Sequence, residues 1–103
     1  MILVLETNGS LLYLFSSALE VESHLEAIDV ENSEYVFCDD TGQRFVGEII
    51  APVTKCGAGS FSLKPDGTPD RALVAAFVSH ARSLDRTCNG IKSLDDLRRL
   101  YVG

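Results

Sequence analysis

The chain opens with Ile2-Leu-Val-Leu-Glu-Thr-Asn-Gly-Ser-Leu-Leu-Tyr-Leu-Phe15, two apolar runs on either side of a turn sequence. Residues 2–6 and 11–15 are predicted strands. Asn8-Gly9 lies between them, and this dipeptide readily takes the positive φ angles of a type I′ turn. The stretch therefore predicts a β-hairpin, with a single interrupted strand as the alternative.

Three helices are predicted downstream of this hairpin. The first begins at a capping box at Ser17 and continues along one apolar face to Ile28. The second begins at Thr68, with a proline at its first position, and its apolar spacing extends to Leu84. The third begins at Ser93, which is a suitable N-cap residue.

Three further strands are predicted between the first and second helices, at residues 34–38, 44–51 and 61–64. Asp39-Asp40-Thr41-Gly42 forms a turn between the first two of them. The order β-β-α-β-β-β-α-α predicts an α+β fold with an antiparallel sheet of about four to five strands. We expect the helices to pack mainly on one face of that sheet, in a single domain covering residues 1–103.

Charge is distributed unevenly along the 103 residues. Residues 1–48 carry ten acids and one base, a net charge of −9, whereas residues 49–103 carry a net charge of +3. Nucleic acids and anionic membranes require a cationic surface on the protein, so the acidic balance predicts neither as a partner. A concentrated negative field instead attracts a basic protein partner.

The start of the chain has no positively charged segment before its apolar run, so we expect no ordinary signal peptide. No apolar run approaches the roughly 20 residues that a transmembrane helix needs. The three cysteines, Cys38, Cys56 and Cys88, match no zinc-binding spacing. Reduced thiols in a cytoplasmic protein are the simplest interpretation.

Catalytic and cofactor motifs are weak in this sequence. Cys56 is the best candidate nucleophile, since Lys55 precedes it and a glycine-rich segment follows. That segment lacks the ending of a Walker loop and the third glycine of a dinucleotide-binding fingerprint. Asp39-Asp40 is typical of a turn and does not form a calcium loop. We predict no catalytic site, no cofactor and no metal.

An acidic stripe on the first predicted helix is the strongest functional signal. Glu22, Glu26 and Asp29 recur at positions i, i+4 and i+7, a spacing at which like charges weaken a helix. A solvated helix face normally mixes both signs of charge, whereas the acidic bias continues beyond this helix. The predicted partner-binding residues are Glu22, Glu26, Asp29, Glu31, Glu34, Asp39 and Asp40.

Residues 12–35 resemble a segment of small acidic bacterial immunity proteins of polymorphic toxin and contact-dependent growth-inhibition systems. The similar features are an aromatic-ended strand, an acidic helix and the run Ile28-Asp-Val-Glu-Asn32. The hairpin Asp39-Asp-Thr-Gly-Gln43 and the helix entry Leu63-Lys-Pro-Asp-Gly-Thr-Pro-Asp70 are also similar.

This resemblance implies a non-enzymatic, cytoplasmic immunity protein that binds and neutralises a cognate toxin domain, often a nuclease. A nuclease must attract phosphates, so an acidic inhibitor would complement its basic site. Tyr13 or Tyr35 would supply an aromatic anchor if exposed. The alternatives are a small cysteine-dependent enzyme that uses Cys56 with a histidine, and a regulatory module that self-associates through its sheet.

Overall fold

A single six-stranded sheet organises the computed structural model, which describes residues 1–52 and 59–102. The strands are β1 (Ile2–Glu6), β2 (Leu11–Phe15), β3 (Tyr35–Asp39), β4 (Arg44–Ala51), β5 (Ser60–Asp66) and β6 (Ser83–Arg86). Their order across the sheet is β5-β4-β3-β1-β2-β6. The β2–β6 pair is parallel and the other pairs are antiparallel. The predicted α+β class is confirmed, with one strand more than expected.

Four helices accompany the sheet in this part of the chain: α1 (Ala18–His24), α2 (Ala27–Glu31), α3 (Arg71–His80) and α4 (Leu94–Tyr101). None of them is long and apolar enough to cross a membrane. The prediction of one continuous helix to Ile28 is wrong, because the backbone at Leu25 and Glu26 is extended and separates α1 from α2. The predicted Ser17 cap is confirmed, since its hydroxyl accepts a hydrogen bond from the Glu20 amide.

The second long helix also differs from its prediction. Asp70, not Thr68, is its N-cap, because the Asp70 amide donates to the Gly42 carbonyl (3.1 Å) and its carboxylate accepts from the Ala72 amide. The helix ends at His80, and the chain then forms β6 beside β2. Leu84, assigned to the helix by its spacing, instead pairs with Leu12. A tertiary strand pairing has therefore replaced the last turns of the predicted helix.

The helices lie on both faces of the sheet, so the expectation that they pack mainly on one face is wrong. Along β1, Leu3 and Leu5 contribute to a core with α3 and α4, whereas Ile2 and Val4 contribute to a second core with α1 and α2. Successive side chains of a strand point to opposite faces. Because the run 2–5 is apolar at every position, both faces must be covered.

The predicted hairpin at the start of the chain is confirmed, but its turn is not the predicted type I′ turn. Ile2 pairs with Phe15 and Leu5 with Leu12, which leaves a four-residue loop. The positive φ angle falls on Ser10 (54°), whose amide donates to the Glu6 carbonyl (3.0 Å). A longer loop thus replaces the two-residue turn that Asn8-Gly9 suggested.

The β4–β5 hairpin leaves the central sheet soon after it begins. β4 pairs with β3 at only two positions, Phe37 with Phe45 and Cys38 with Arg44. It pairs with β5 along most of its length. The hairpin bends toward α1 and α2, where Phe61 and Leu63 of β5 close the second core.

Gly47 allows the close approach between this hairpin and α2. A Cβ atom at Gly47 would lie 2.3 Å from Cγ1 of Val30, which is far inside van der Waals contact. Val30 is a stiff, β-branched residue on α2 and cannot easily move aside. Close packing against Val30 therefore explains why a glycine occupies the middle of β4.

We expect Gly47→Ala to lower the free energy of unfolding by about 1–3 kcal/mol, because the added methyl group overpacks the contact with Val30. Chemical denaturation of the two single variants and of the G47A/V30A double variant would measure this. Removing the Val30 methyl groups makes room for the alanine, so the double variant should lose less stability than the sum of the single variants. Strictly additive losses would contradict this account.

Candidate functional site

The predicted acidic residues do not form one surface. Glu34 precedes β3 and Asp39 ends it, so the two residues lie at opposite ends of a five-residue strand. At about 3.3 Å per residue, the ends are roughly 15 Å apart. The break between α1 and α2 also separates Glu22 from the other two residues of the predicted helical stripe.

Glu22 has a structural contact in this fold. Its carboxylate accepts a hydrogen bond from the Leu63 amide at 3.0 Å. Leu63 lies on β5, the edge strand of the sheet, and Glu22 binds an amide that no neighbouring strand pairs with. Glu22 therefore joins α1 to the sheet edge and is removed from the candidate binding surface.

Asp39 is also engaged within the chain. Its Oδ1 atom accepts hydrogen bonds from the amides of Thr41 (2.9 Å) and Gln43 (3.0 Å), which confirms the predicted turn. The neighbouring Asp40 carboxylate is exposed and lies 3.7 Å from the amino terminus of Met1. Asp39 and Asp40 thus belong to the turn end of the sheet, away from the other predicted contacts.

The remaining predicted acids gather at the other end of β3, where Glu6 joins them. We call Glu6, Asp29 and Glu34, with the adjacent Glu26 and Glu31, the acidic cluster. The pairing of Glu6 with Tyr35 places the end of β1 beside the start of β3. The Glu34 amide donates to the Asp29 carbonyl at 3.1 Å, which holds α2 against the same corner.

The charges of the acidic cluster repel one another. The pKa of Glu34 is raised, first because its carboxyl group can share a hydrogen bond with the Asp29 carboxyl, then because of burial and the charges of Asp29 and Glu6. Two carboxylates at one site cannot both ionise freely. Among the residues that the structure describes, no ion pair neutralises the negative charge of this corner.

Two tyrosines support the acidic cluster. The hydroxyl of Tyr13 donates to the Glu6 carboxylate at 3.1 Å. Burial first, and then this acceptor, raise the pKa of Tyr13 to about 12. The rings of Tyr13 and Tyr35 meet edge to face, with centroids 6.4 Å apart, and both side chains are half-buried. Both aromatic anchors proposed from the sequence therefore lie beside the acids.

An apolar groove adjoins this corner where β3 and β4 separate. We call it the fork, and it is a cavity of about 220 Å³ between the two strands and the end of α2. Its lining is mainly apolar, with Tyr35 and Val36 of β3, Phe45 and Val46 of β4 and Val30 of α2, and it also includes Gly47 and the cationic Arg44. Val36 and Val46 remain 41% and 46% exposed, so apolar surface lies next to the acidic cluster.

A second polar group lies on the α1 side of the sheet and is structural. The Glu20 carboxylate accepts hydrogen bonds from Ser16 and from Arg86, which reaches across from β6. The Arg86 guanidinium also lies 4.6 Å from the centroid of the Phe15 ring. The pKa of Glu20 is lowered, first by Ser16 and then by Arg86. The group joins β6 to α1 and uses one of the basic residues of the second half.

The two cysteines within the described ranges are not activated. Cys38 is fully buried, and burial raises the pKa of its thiol to about 12. Burial also raises the pKa of the Cys88 thiol. Reactivity requires a lowered thiol pKa, so neither fits a nucleophile. Cys56, the predicted candidate, lies outside the described residues.

Within residues 1–52 and 59–102, no three His, Cys, Asp or Glu side chains come together in a way that would hold a metal ion. Comparison of the chain with family models, with curated proteins and with solved structures found no match.

Sequence reasoning missed Glu6 and the fork. Glu6 is a single acid at the end of an apolar strand, and only the pairing of β1 with β3 brings it to Tyr35. Gly47 carried a weak signal, because an isolated glycine inside a strand often marks a close backbone approach. The separation of β3 from β4 carried none, since it follows from the packing of α2.

We expect Glu22→Ala to lower the free energy of unfolding by about 1–2 kcal/mol, because the Leu63 amide loses its acceptor. Glu22→Gln keeps an acceptor oxygen and should lose less. Glu26→Ala is the matched control, since the Glu26 side chain makes no capping hydrogen bond. Urea unfolding of the three variants would test this, and equal losses for E22A and E26A would rule out the structural assignment.

Glu34→Gln should raise stability at neutral pH. The folded state binds the Glu34 proton more tightly than the unfolded state, because the folded pKa is raised. The penalty is therefore present above the folded pKa and disappears as the pH falls below the unfolded value. The stability advantage of E34Q should shrink on acidification. Thermal unfolding across pH 3–8 measures it, with Glu48→Gln, exposed and outside the acidic cluster, as the control; an advantage independent of pH would contradict the assignment.

Proposed function

We propose that this chain is a non-enzymatic immunity protein that binds and neutralises a cognate bacterial toxin domain in the cytoplasm. The preferred toxin class is a nuclease with a basic surface. The contact surface proposed is the acidic cluster with the half-buried Tyr35, and it retains Glu26, Asp29, Glu31 and Glu34 of the residues proposed from the sequence. Glu22 and Asp39 are left out, since their carboxylates accept hydrogen bonds within the chain. Asp40 is left out because it lies beside the Met1 amino terminus at the turn end of the sheet.

The observation that carries this proposal is the meeting of Glu6, Asp29 and Glu34 at one corner of the fold, where Glu6 pairs with Tyr35 and the Glu34 amide donates to the Asp29 carbonyl. The raised pKa of Glu34 supports it. Like charges held together oppose folding, and a basic partner would relieve that repulsion on binding. Groups whose pKa is perturbed by specific charged neighbours are candidates for functional sites. The cluster thus fits a surface selected for binding better than one selected for stability.

The positions of the basic residues also support the acidic cluster as a binding surface. Arg86 pairs with Glu20, Arg99 with Asp96, and Arg98 donates to the Ala81 carbonyl. These partners lie on α1, on α4 and at the end of α3, and none belongs to the acidic cluster. The positive charge of the second half therefore does not neutralise the acidic cluster through these contacts.

The direct test is co-expression with the toxin domain encoded by the neighbouring gene. The chain should rescue growth and should co-purify with the toxin as a stable complex. Failure of both, with both proteins soluble, would overturn the proposed pairing.

The charge mechanism has its own test in the E26Q/E31Q/E34Q variant. Its association rate with the toxin should fall about tenfold or more at low salt, and the rate should depend less on salt, because electrostatic steering is lost. D40N/D66N/D95N is the matched control, since it removes the same charge at exposed sites away from the acidic cluster. Stopped-flow measurement of both variants would decide, and equal rates would remove the acidic cluster from the interface.

A further inference from the structure

We infer that the fork is a strand-addition site, where an extended segment of the partner protein pairs with the free edge of β4. The segment would alternate apolar and basic side chains. This inference rests on the proposed function, because it specifies how a basic partner is held beside the acidic cluster.

The register of the sheet identifies the backbone groups that such a segment would pair with. The Asp39 amide donates to the Gln43 carbonyl (3.0 Å), which fixes the alternation of the β3–β4 ladder. By that alternation, Tyr35 directs its amide and carbonyl toward β4, and Gly47 and Ile49 direct theirs toward β3. The contact of Glu22 with the Leu63 amide supports this assignment. Leu63 and Gly47 are paired residues, and the Leu63 amide points away from β4, so the backbone amide and carbonyl of Gly47 point away from β5, toward β3.

Among residues 1–52 and 59–102, these backbone groups have no strand partner across the fork. The pairing of β3 with β4 stops after Phe37 with Phe45, so Tyr35 does not reach Gly47 among the described residues. An open edge with unpaired amides and carbonyls is a template for an added strand. Gly47 and Ile49, with Tyr35 opposite, offer such an edge inside a groove rather than at the rim of the sheet.

The two faces of β4 define the side chains that fit. On the inner face, half-buried Phe45 and Ile49 adjoin Tyr35, so the added strand would place apolar residues there. On the outer face, Glu48 is exposed between Val46 and Ile50. Directly opposed side chains on neighbouring strands lie within about 5 Å of each other, so a basic residue would pair with Glu48. Glu34 adjoins Tyr35 of the lining and favours a further basic residue at that end, whereas Arg44 at the paired end of the fork disfavours one there.

The test uses an acetylated, amidated octapeptide of alternating Lys and Val as the probe. NMR amide exchange of the intact chain should slow at Tyr35, Gly47 and Ile49 when the probe binds, while amides of the β2–β6 pair stay unchanged. The same peptide with alternate N-methylated residues keeps the charge and apolar content but cannot pair along its edge. It should therefore not slow the three amides. Unchanged exchange at these amides with the unmodified probe would overturn the inference.

Glu48→Lys supplies the matched variant. It should weaken the unmodified probe roughly fivefold, because an attractive cross-strand pair becomes repulsive. Asp85→Lys makes the same charge change on β6, at the other edge of the sheet, and should leave affinity unchanged. Equal weakening by both variants would show that only net charge matters and would contradict strand addition.

The toxin distinguishes this inference from the proposed function. A toxin that binds without protecting Tyr35, Gly47 and Ile49 would overturn strand addition and leave the function standing. If the probe protects these amides but the toxin does not bind, the strand-addition site stands and the proposed immunity function is overturned. Protection of the same amides by a second copy of this chain, seen as dependence on protein concentration without probe, would assign the site to self-association and overturn the inferred partner.

Discussion

Burial of β1 on both of its faces is the constraint on which the rest of the structure depends. Leu3 and Val4 point in opposite directions, and neither is exposed to solvent. A strand in this position destabilises the fold unless apolar side chains cover both sides. The helices α3 and α4 cover one side and α1 and α2 the other, so the molecule has two cores divided by one strand.

The second core explains why the sheet opens. The helices α1 and α2 are only seven and five residues long. They do not close their core alone, and β5 supplies Phe61 and Leu63. For β5 to reach that side, β4 must leave β3 after two paired positions. Gly47 then lets the hairpin approach Val30, and the fork is the space left between the separated strands.

The same packing sorts the acidic residues into different roles. Glu22 stabilises the sheet edge, Asp39 builds a turn, and Glu34 repels Asp29 and Glu6. All of them looked alike in the sequence, where each was a negative charge within an acidic half. The pKa of Glu34 is raised because three separate elements, β1, α2 and the start of β3, meet at one corner. The value of a charge to binding or to folding thus depended on its neighbours in space.

The sequence by itself determined the α+β class, the first hairpin, the turn at Asp39, and the N-caps at Ser17 and Ser93. These features depend on residues close together in the chain, so local hydrogen bonding and periodicity predict them. The tertiary structure decided which helices cover each face, the strand at Ser83–Arg86 and the break before α2. It also placed Glu6 beside Tyr35 and Glu34. Long-range burial and strand pairing govern those features. The apolar run at residues 2–5 indicates burial on both faces, but local sequence does not say which elements cover each face.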